Sequence, residues 1–223
     1  MSAGALGPGA RTRVRRVLKK ASYDEAVIYE ILDRARHCHV AALVGGRPVA
    51  LPTLHAREGR TVFLHGSPSN EVMKAILREG EAFVTATLFE GLRLARSGFH
   101  SSVAFRSVVV VGSAREVVDE SEKLRVLNLF IDRILPGRAG EVRPISSQEV
   151  RLTMVVAVAI DEASAKVSSG PTDDDDADLA LPIWAGTVPA RLVFEAPWPD
   201  ANGAMSSGDV EIPPSVQRLL DEQ

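Results

Sequence analysis

Residues 23–36 (YDEAVIYEILDRAR) place Ala26, Val27, Tyr29, Ile31 and Leu32 roughly on one stripe, with acidic residues early and arginines late. That period and charge order predict a helix capped by Ser22 and ending near Arg36. The period then shortens. Residues 38–44 (CHVAALV) read as a strand, Gly45-Gly46 as a two-residue hairpin turn, and 47–54 (RPVALPTL) as the returning strand. A turn at residues 57–60 leads into a strand over 61–65. Ser69 then opens a helix over 70–79 that Gly80 closes. Further strands are expected at 82–88, at 103–118 with a bend at Gly112, and at 152–160. Helices are expected at 120–134, before Pro136-Gly137, near 147–150 and over 213–222. Strands joined in hairpins, with helices inserted between them, give an α+β class dominated by an antiparallel barrel.

The texture of the two ends divides the 223-residue chain into three parts. Residues 1–10, rich in Gly, Ala and Pro, read as a disordered lead-in. Residues 11–167 form the barrel domain, and 168–223 a surface wrap in which Asp173 to Asp176 make a loose, solvated acidic loop. The apolar piece 181–194 within that wrap must pack against something.

Composition narrows the function. Apolar residues are 45 % and charged residues 25 %, an ordinary globular balance. A net charge of −3 speaks against a nucleic-acid partner, although Arg11 to Lys20 is a basic run. No apolar stretch is long enough to span a membrane, and no secretory signal is legible. The one cysteine, Cys38, excludes an intrachain disulfide; it reads as a buried core thiol of a cytoplasmic protein. The familiar dinucleotide, nucleotide and hydrolase signatures are absent. The histidines lack metalloprotease spacing, and His37 and His39 have no third ligand nearby, so no metal site is expected.

One segment carries chemistry: LHGSPSN, residues 64–70. A strand ends, the chain turns, and Ser67, Ser69 and Asn70 stand at the start of a helix with Lys74 one turn in. Free N–H groups and a positive partial charge suit a phosphate there, although the same residues would also make an ordinary capped helix.

Four blocks carry a family resemblance: residues 23–55, 62–77 (VFLHGSPSNEVMKAIL), 94–117 (LARSGFHSSVAFRSVVVVGSAREV), and 164–171 with 181–189 (LPIWAGTVP). In that order and spacing the chain resembles the pyridoxamine 5'-phosphate oxidase-like superfamily, in its flavin-nucleotide-binding branch close to the nitroimidazole-resistance proteins. The resemblance implies a split antiparallel barrel holding FMN at a homodimer interface. Leu51, Pro52, Thr53 and Leu54 would run beside the isoalloxazine edge through backbone groups. His65, Gly66 and Ser67 would line the ribityl-phosphate path, and the phosphate site falls on Ser69 and Asn70 with Lys74 nearby. The oxidases carry adjacent basic residues where this chain has Asn70-Glu71, so Arg106 with Ser107, or Arg96, would supply the missing charge. Lys166 and Trp184 belong to the C-terminal blocks, with Trp184 as a lid, a dimer contact or a plain anchor.

Three functions follow. The first is a flavin-dependent oxidoreductase that passes electrons, with NAD(P)H as a possible source, to a small acceptor such as a nitro compound or quinone, with His65 or His100 as proton donor. The second is a flavin-binding module without turnover. The third keeps the barrel and exchanges the cofactor for a deazaflavin, or for a haem ligated by His65, His100 or His55.

Overall fold

The computed structural model describes residues 6–198 and 211–222. In chain order its elements are β1 (Ala21–Ser22), α1 (Glu25–Arg34), β2 (Cys38–Val44), β3 (Arg47–Thr53), β4 (His55–Glu58), β5 (Thr61–Gly66), α2 (Glu71–Glu79) and β6 (Glu81–Leu94). They continue with β7 (Ser102–Glu116), α3 (Glu120–Ile134), α4 (Ser147–Leu152), β8 (Met154–Ala159), β9 (Glu162–Ser168), β10 (Gly186–Pro189) and α5 (Pro214–Asp221).

Strand pairing is antiparallel throughout, in the order β3-β2-β6-β7-β8-β5-β4. The path does not close, as a split barrel requires. Gly45 and Gly46, at φ of 57° and 76°, turn β2 into β3 as the two-glycine signal predicts. The long β7 belongs to both halves of the sheet. Its residues Phe105 to Val111 pair with β9, and Ala114 to Glu116 pair with β8. Gly112 lies between the two runs, where a Cβ would collide with the carbonyl oxygen of Ala159. The bend read from the sequence is therefore a close backbone crossing that only glycine permits.

Several boundaries differ from expectation, each for a local reason. Asp24, not Ser22, caps α1: its carboxylate accepts the Ala26 N–H at 2.7 Å. Asn70, not Ser69, caps α2, accepting from Val72 and Met73 at 3.0 and 3.2 Å. The strand expected over 47–54 stops at Thr53, and the chain crosses at Leu54 into β4, which pairs with β5 instead. β6 runs on to Leu94 past a bulge between Phe89 and Gly91. β8 starts only at Met154, because α4 continues through Leu152. β9 has no counterpart in the apolar pattern; its core positions are the small Ala163, Ser164 and Ala165.

The ends are more ordered than their composition suggests. Residues 1–5, within the expected lead-in, lie outside the described residues, as do 199–210 and 223 of the wrap. Leu6 is buried, and its N–H donates to the Tyr23 carbonyl at 3.1 Å. The acidic run is not a loose loop. Asp173 pairs with Lys19 at 2.8 Å, Asp174 with Arg96 at 3.1 Å and Asp175 with His100 at 3.1 Å. Asp173 and Asp174 each meet a cation, and Asp175 an imidazole, supplied from far away in the chain, which composition alone does not reveal. The apolar piece 181–194 contributes β10, which extends the sheet along β6.

Alternation in β5 and β8 separates two cores. Val62, Leu64, Val156 and Val158 face the barrel with Ile28, Ile31 and Leu32 of α1. Phe63, Val155 and Ala157 face the other way, onto Val126, Leu127 and Phe130 of α3. Cys38 is fully buried in the first core, and burial pushes its thiol pKa up to about 12, so it is an inert core residue.

Candidate functional site

His65 follows Phe63 by two residues in β5, so its ring projects toward α3. It meets Phe130 edge-on at 4.3 Å between ring centroids. Together with Leu54, Leu127, Phe130, Ile131 and Ile134 it lines a cavity of about 440 Å³, with Arg143, Glu149 and Thr153 at its polar part. Nδ1 of His65 is buried without a hydrogen-bond partner. Burial lowers the ring's pKa, so it stays neutral and keeps a nitrogen lone pair available.

A second cavity, of about 230 Å³, shares Leu54, Phe130 and Ile134 with the first. Its wall carries Arg36 and Arg133, neither of which forms a salt bridge among the described residues. Arg133 instead donates to the carbonyls of Leu32 and Ala35 at 3.3 and 2.6 Å. His55 lines this cavity too, but its Nε2 is held 2.8 Å from the Leu32 carbonyl, which makes Nε2 the donor. The adjoining cavities thus combine apolar walls, two neutral imidazoles, each with Nδ1 unpartnered, and two guanidiniums without carboxylate partners among the described residues.

That donor set fits haem. The apolar walls suit the macrocycle, an imidazole nitrogen without a partner suits the iron, and two arginines with no carboxylate partner among the described residues suit its carboxylates.

The expected phosphate site is assembled at the start of α2, but its charge is largely spent. Ser67 and Ser69 share a hydrogen bond at 2.8 Å, and Ser67 Oγ accepts the Ser69 N–H at 3.2 Å. Asn70 consumes the amides of Val72 and Met73, and Lys74 is paired with Glu71 at 2.9 Å. Gly66 lies against Met73, where a Cβ would stand 3.1 Å from its methyl carbon. The two hydroxyls share one bond, so a single O–H of the pair remains to donate to an oxyanion.

The other expected residues fall in three places. Leu51, Pro52 and Thr53 lie on β3 at the end of the strand path, where the outer backbone groups are free to meet a ring edge, while Leu54 lines the cavity. Ser107 sits opposite Lys166 in the β7–β9 ladder. Arg106 supplies no spare charge, since it is bound to Glu90 at 2.7 Å and Glu30 at 2.8 Å. Arg96 is likewise held by Asp174, and His100 by Asp175. Of the two histidines expected as proton donors, His65 lines the cavity at α3, while His100 is held 3.1 Å from Asp175. Trp184 is largely exposed, its ring beside Gly186.

The cavity residues of α3 escaped sequence reasoning. Leu127, Phe130, Ile131 and Ile134 form a helical stripe that read as ordinary core, and nothing local says that one end faces a hole.

His55 and His65 give a testable pH dependence. Burial lowers both pKa values in the fold. In the unfolded chain they protonate near the usual histidine value of about 6.5. Their contribution is complete above that value and is lost as pH falls toward the lower folded values. The thermal midpoint should hold steady above about pH 7 and decline below about 6.5, before carboxylates titrate. A midpoint flat down to pH 5 would contradict this.

Residues 24–167, more than half of the chain, match the pyridoxamine 5'-phosphate oxidase family, and the chain belongs to it. Among solved structures, the flavocytochrome Anf3 from Azotobacter vinelandii is 36 % identical with a TM-score of 0.87, covering 94 % of this chain and 96 % of that one. A FAD and haem binding protein from Mycobacterium smegmatis is 33 % identical with a TM-score of 0.83, covering 90 % and 97 %. A putative 5-nitroimidazole antibiotic resistance protein from Bacteroides thetaiotaomicron, at 22 % identity and a TM-score of 0.57, covers 66 % and 86 % and shares the fold. No curated protein matches the sequence. Among the described residues no helix is long and apolar enough to cross a membrane.

Proposed function

We propose that this protein is a flavin- and haem-binding redox protein that works as a homodimer. The observation that carries the reading is the apolar cavity opened by β5 and α3, with the unpartnered His65 imidazole on its wall and two carboxylate-free arginines beside it. Two relatives above 30 % identity, a flavocytochrome and a FAD and haem binding protein, support it.

In this reading His65 ligates the haem, and Arg36 and Arg133 neutralise its carboxylates. The flavin lies along β3 with its phosphate on Ser67 and Ser69. FMN and FAD share the phosphate these hydroxyls would meet. Bound flavin exchanges electrons in ones or twos and haem in ones, so the pair can join a two-electron donor such as NAD(P)H to a one-electron acceptor. The acceptor we favour is a small nitro compound or quinone. The chain's own task is to hold both groups, exclude water at His65 and keep that ring neutral. Exposed Phe83, Phe89, Leu92 and Trp184 supply apolar surface for the second subunit.

An absorption spectrum of the purified protein tests the cofactors directly. Flavin bands together with one intense haem band are expected. Ser69→Asp should lose the flavin and keep its fold, because Asn70 remains as the helix cap. A spectrum with flavin and no haem, even after haem is added, would overturn the haem half of the reading. A Ser69→Asp protein with full flavin would remove the phosphate from α2.

A further inference from the structure

Asp173 of the acidic run borders a third cavity, of about 410 Å³, walled also by Lys19, Lys20, Ser22, Arg93 and Ser169. The side chain of Arg93 is 4 % exposed, and its Nε is buried without a hydrogen-bond partner. Its two terminal nitrogens donate to Ser168 Oγ, at 3.2 Å, and to the carbonyl of Pro171. Lys20, at 18 % exposure, donates to the same Ser168 hydroxyl at 3.0 Å. Two cations therefore converge on one neutral oxygen, an arrangement that favours an anion beside it.

One carboxylate answers them. Asp173 lies 2.8 Å from Lys19, 3.5 Å from Arg93 and 4.0 Å from Lys20. Burial and the nearby charges of Arg93 and Lys166 lower the pKa of Lys20, so the excess of positive charge is felt within the cluster. Asp173 stands where the oxygens of an external anion would stand, with its side chain 46 % exposed. The preceding Gly170, at φ 88°, takes a backbone conformation that few other residues adopt.

We propose that this cavity binds a diphosphate group, and that Asp173 is the internal anion it displaces. With Asp173 displaced, three cations face the ligand, which a diphosphate matches better than a single carboxylate does. The diphosphate is that of a free nucleotide, since the flavin's own phosphate is placed on Ser67 and Ser69. The site stands apart from the cavity at His65, and its test does not require haem.

The experiment titrates the full-length protein, as purified, with ADP by calorimetry. Lys20→Gln should weaken ADP binding by about tenfold, the loss of one charge-assisted contact. Asp173→Asn should act oppositely and tighten ADP binding by a similar factor. If Asp173 served only to hold the loop, its loss would weaken binding instead, and the displacement would be overturned. If ADP does not bind, or if Lys20→Gln leaves its binding unchanged with circular dichroism unaltered, the site does not bind a diphosphate.

Discussion

His65→Ala is expected to leave a protein that still folds and still carries flavin, but has lost its haem. His65 makes no hydrogen bond through Nδ1, so removing the ring breaks no buried polar pair. Its neighbours Leu54, Leu127 and Phe130 are apolar and can close partly over the space. The flavin contacts proposed on β3 and at Ser67 and Ser69 do not use the imidazole. Losing even an outer partner of a metal ligand costs about 10–100-fold in affinity, so losing the ligand itself should cost at least about a hundredfold. The intense haem band should vanish from the purified variant while the flavin bands persist. His65→Gly supplemented with imidazole should recover part of the band, because the free ring can enter the vacated space. An undiminished haem band in His65→Ala would move the ligand to His55 and sink the assignment.

The largest effect on stability is expected at Gly112. A methyl group there meets the backbone oxygen of Ala159, and no side chain is available to swing aside. Relief requires moving the crossing of β7 over the turn from β8 to β9, which Ser113 also pins through Asp161 at 2.7 Å. Gly112→Ala should cost about 3 kcal/mol, the upper range for overpacking a filled interior. For a chain of this size that lowers Tm by roughly 6–12 °C. Gly112→Val should leave little soluble protein. A Gly112→Ala melt within a degree or two of the parent would show that the crossing can open without cost.

Local signals made much of this fold legible. Gly45-Gly46 carries its turn in two residues, and Gly80 ends α2 at φ 69° as a helix-closing glycine should. The resemblance added that the barrel is split. What remained hidden depends on contacts between distant residues. β9 reads as EASAKVS, too small and polar for an apolar run, and is a core strand only because β7 and α1 cover it. The acidic run looked solvated because Lys19, Arg93, Arg96 and His100 lie some 75 or more residues away in sequence. His65 was visible as a candidate, but which way it faces follows from the register of β5 on β8. The hole it faces is made by α3, placed after more than fifty intervening residues. Charge was the least legible feature: Lys74, Arg96 and Arg106 each looked available and each is bound to a carboxylate.

The double membership of β7 bears on how such a protein can change over time. One end of the strand is stitched to β9 and the other to β8, the strand that backs the α3 side. No cut in the chain yields one fragment that keeps the β3 edge and another that keeps the His65 cavity, each with its sheet intact. The two regions cannot be exchanged between relatives as modules or released as proteolytic domains. They have to diverge together, by substitution along a shared beam.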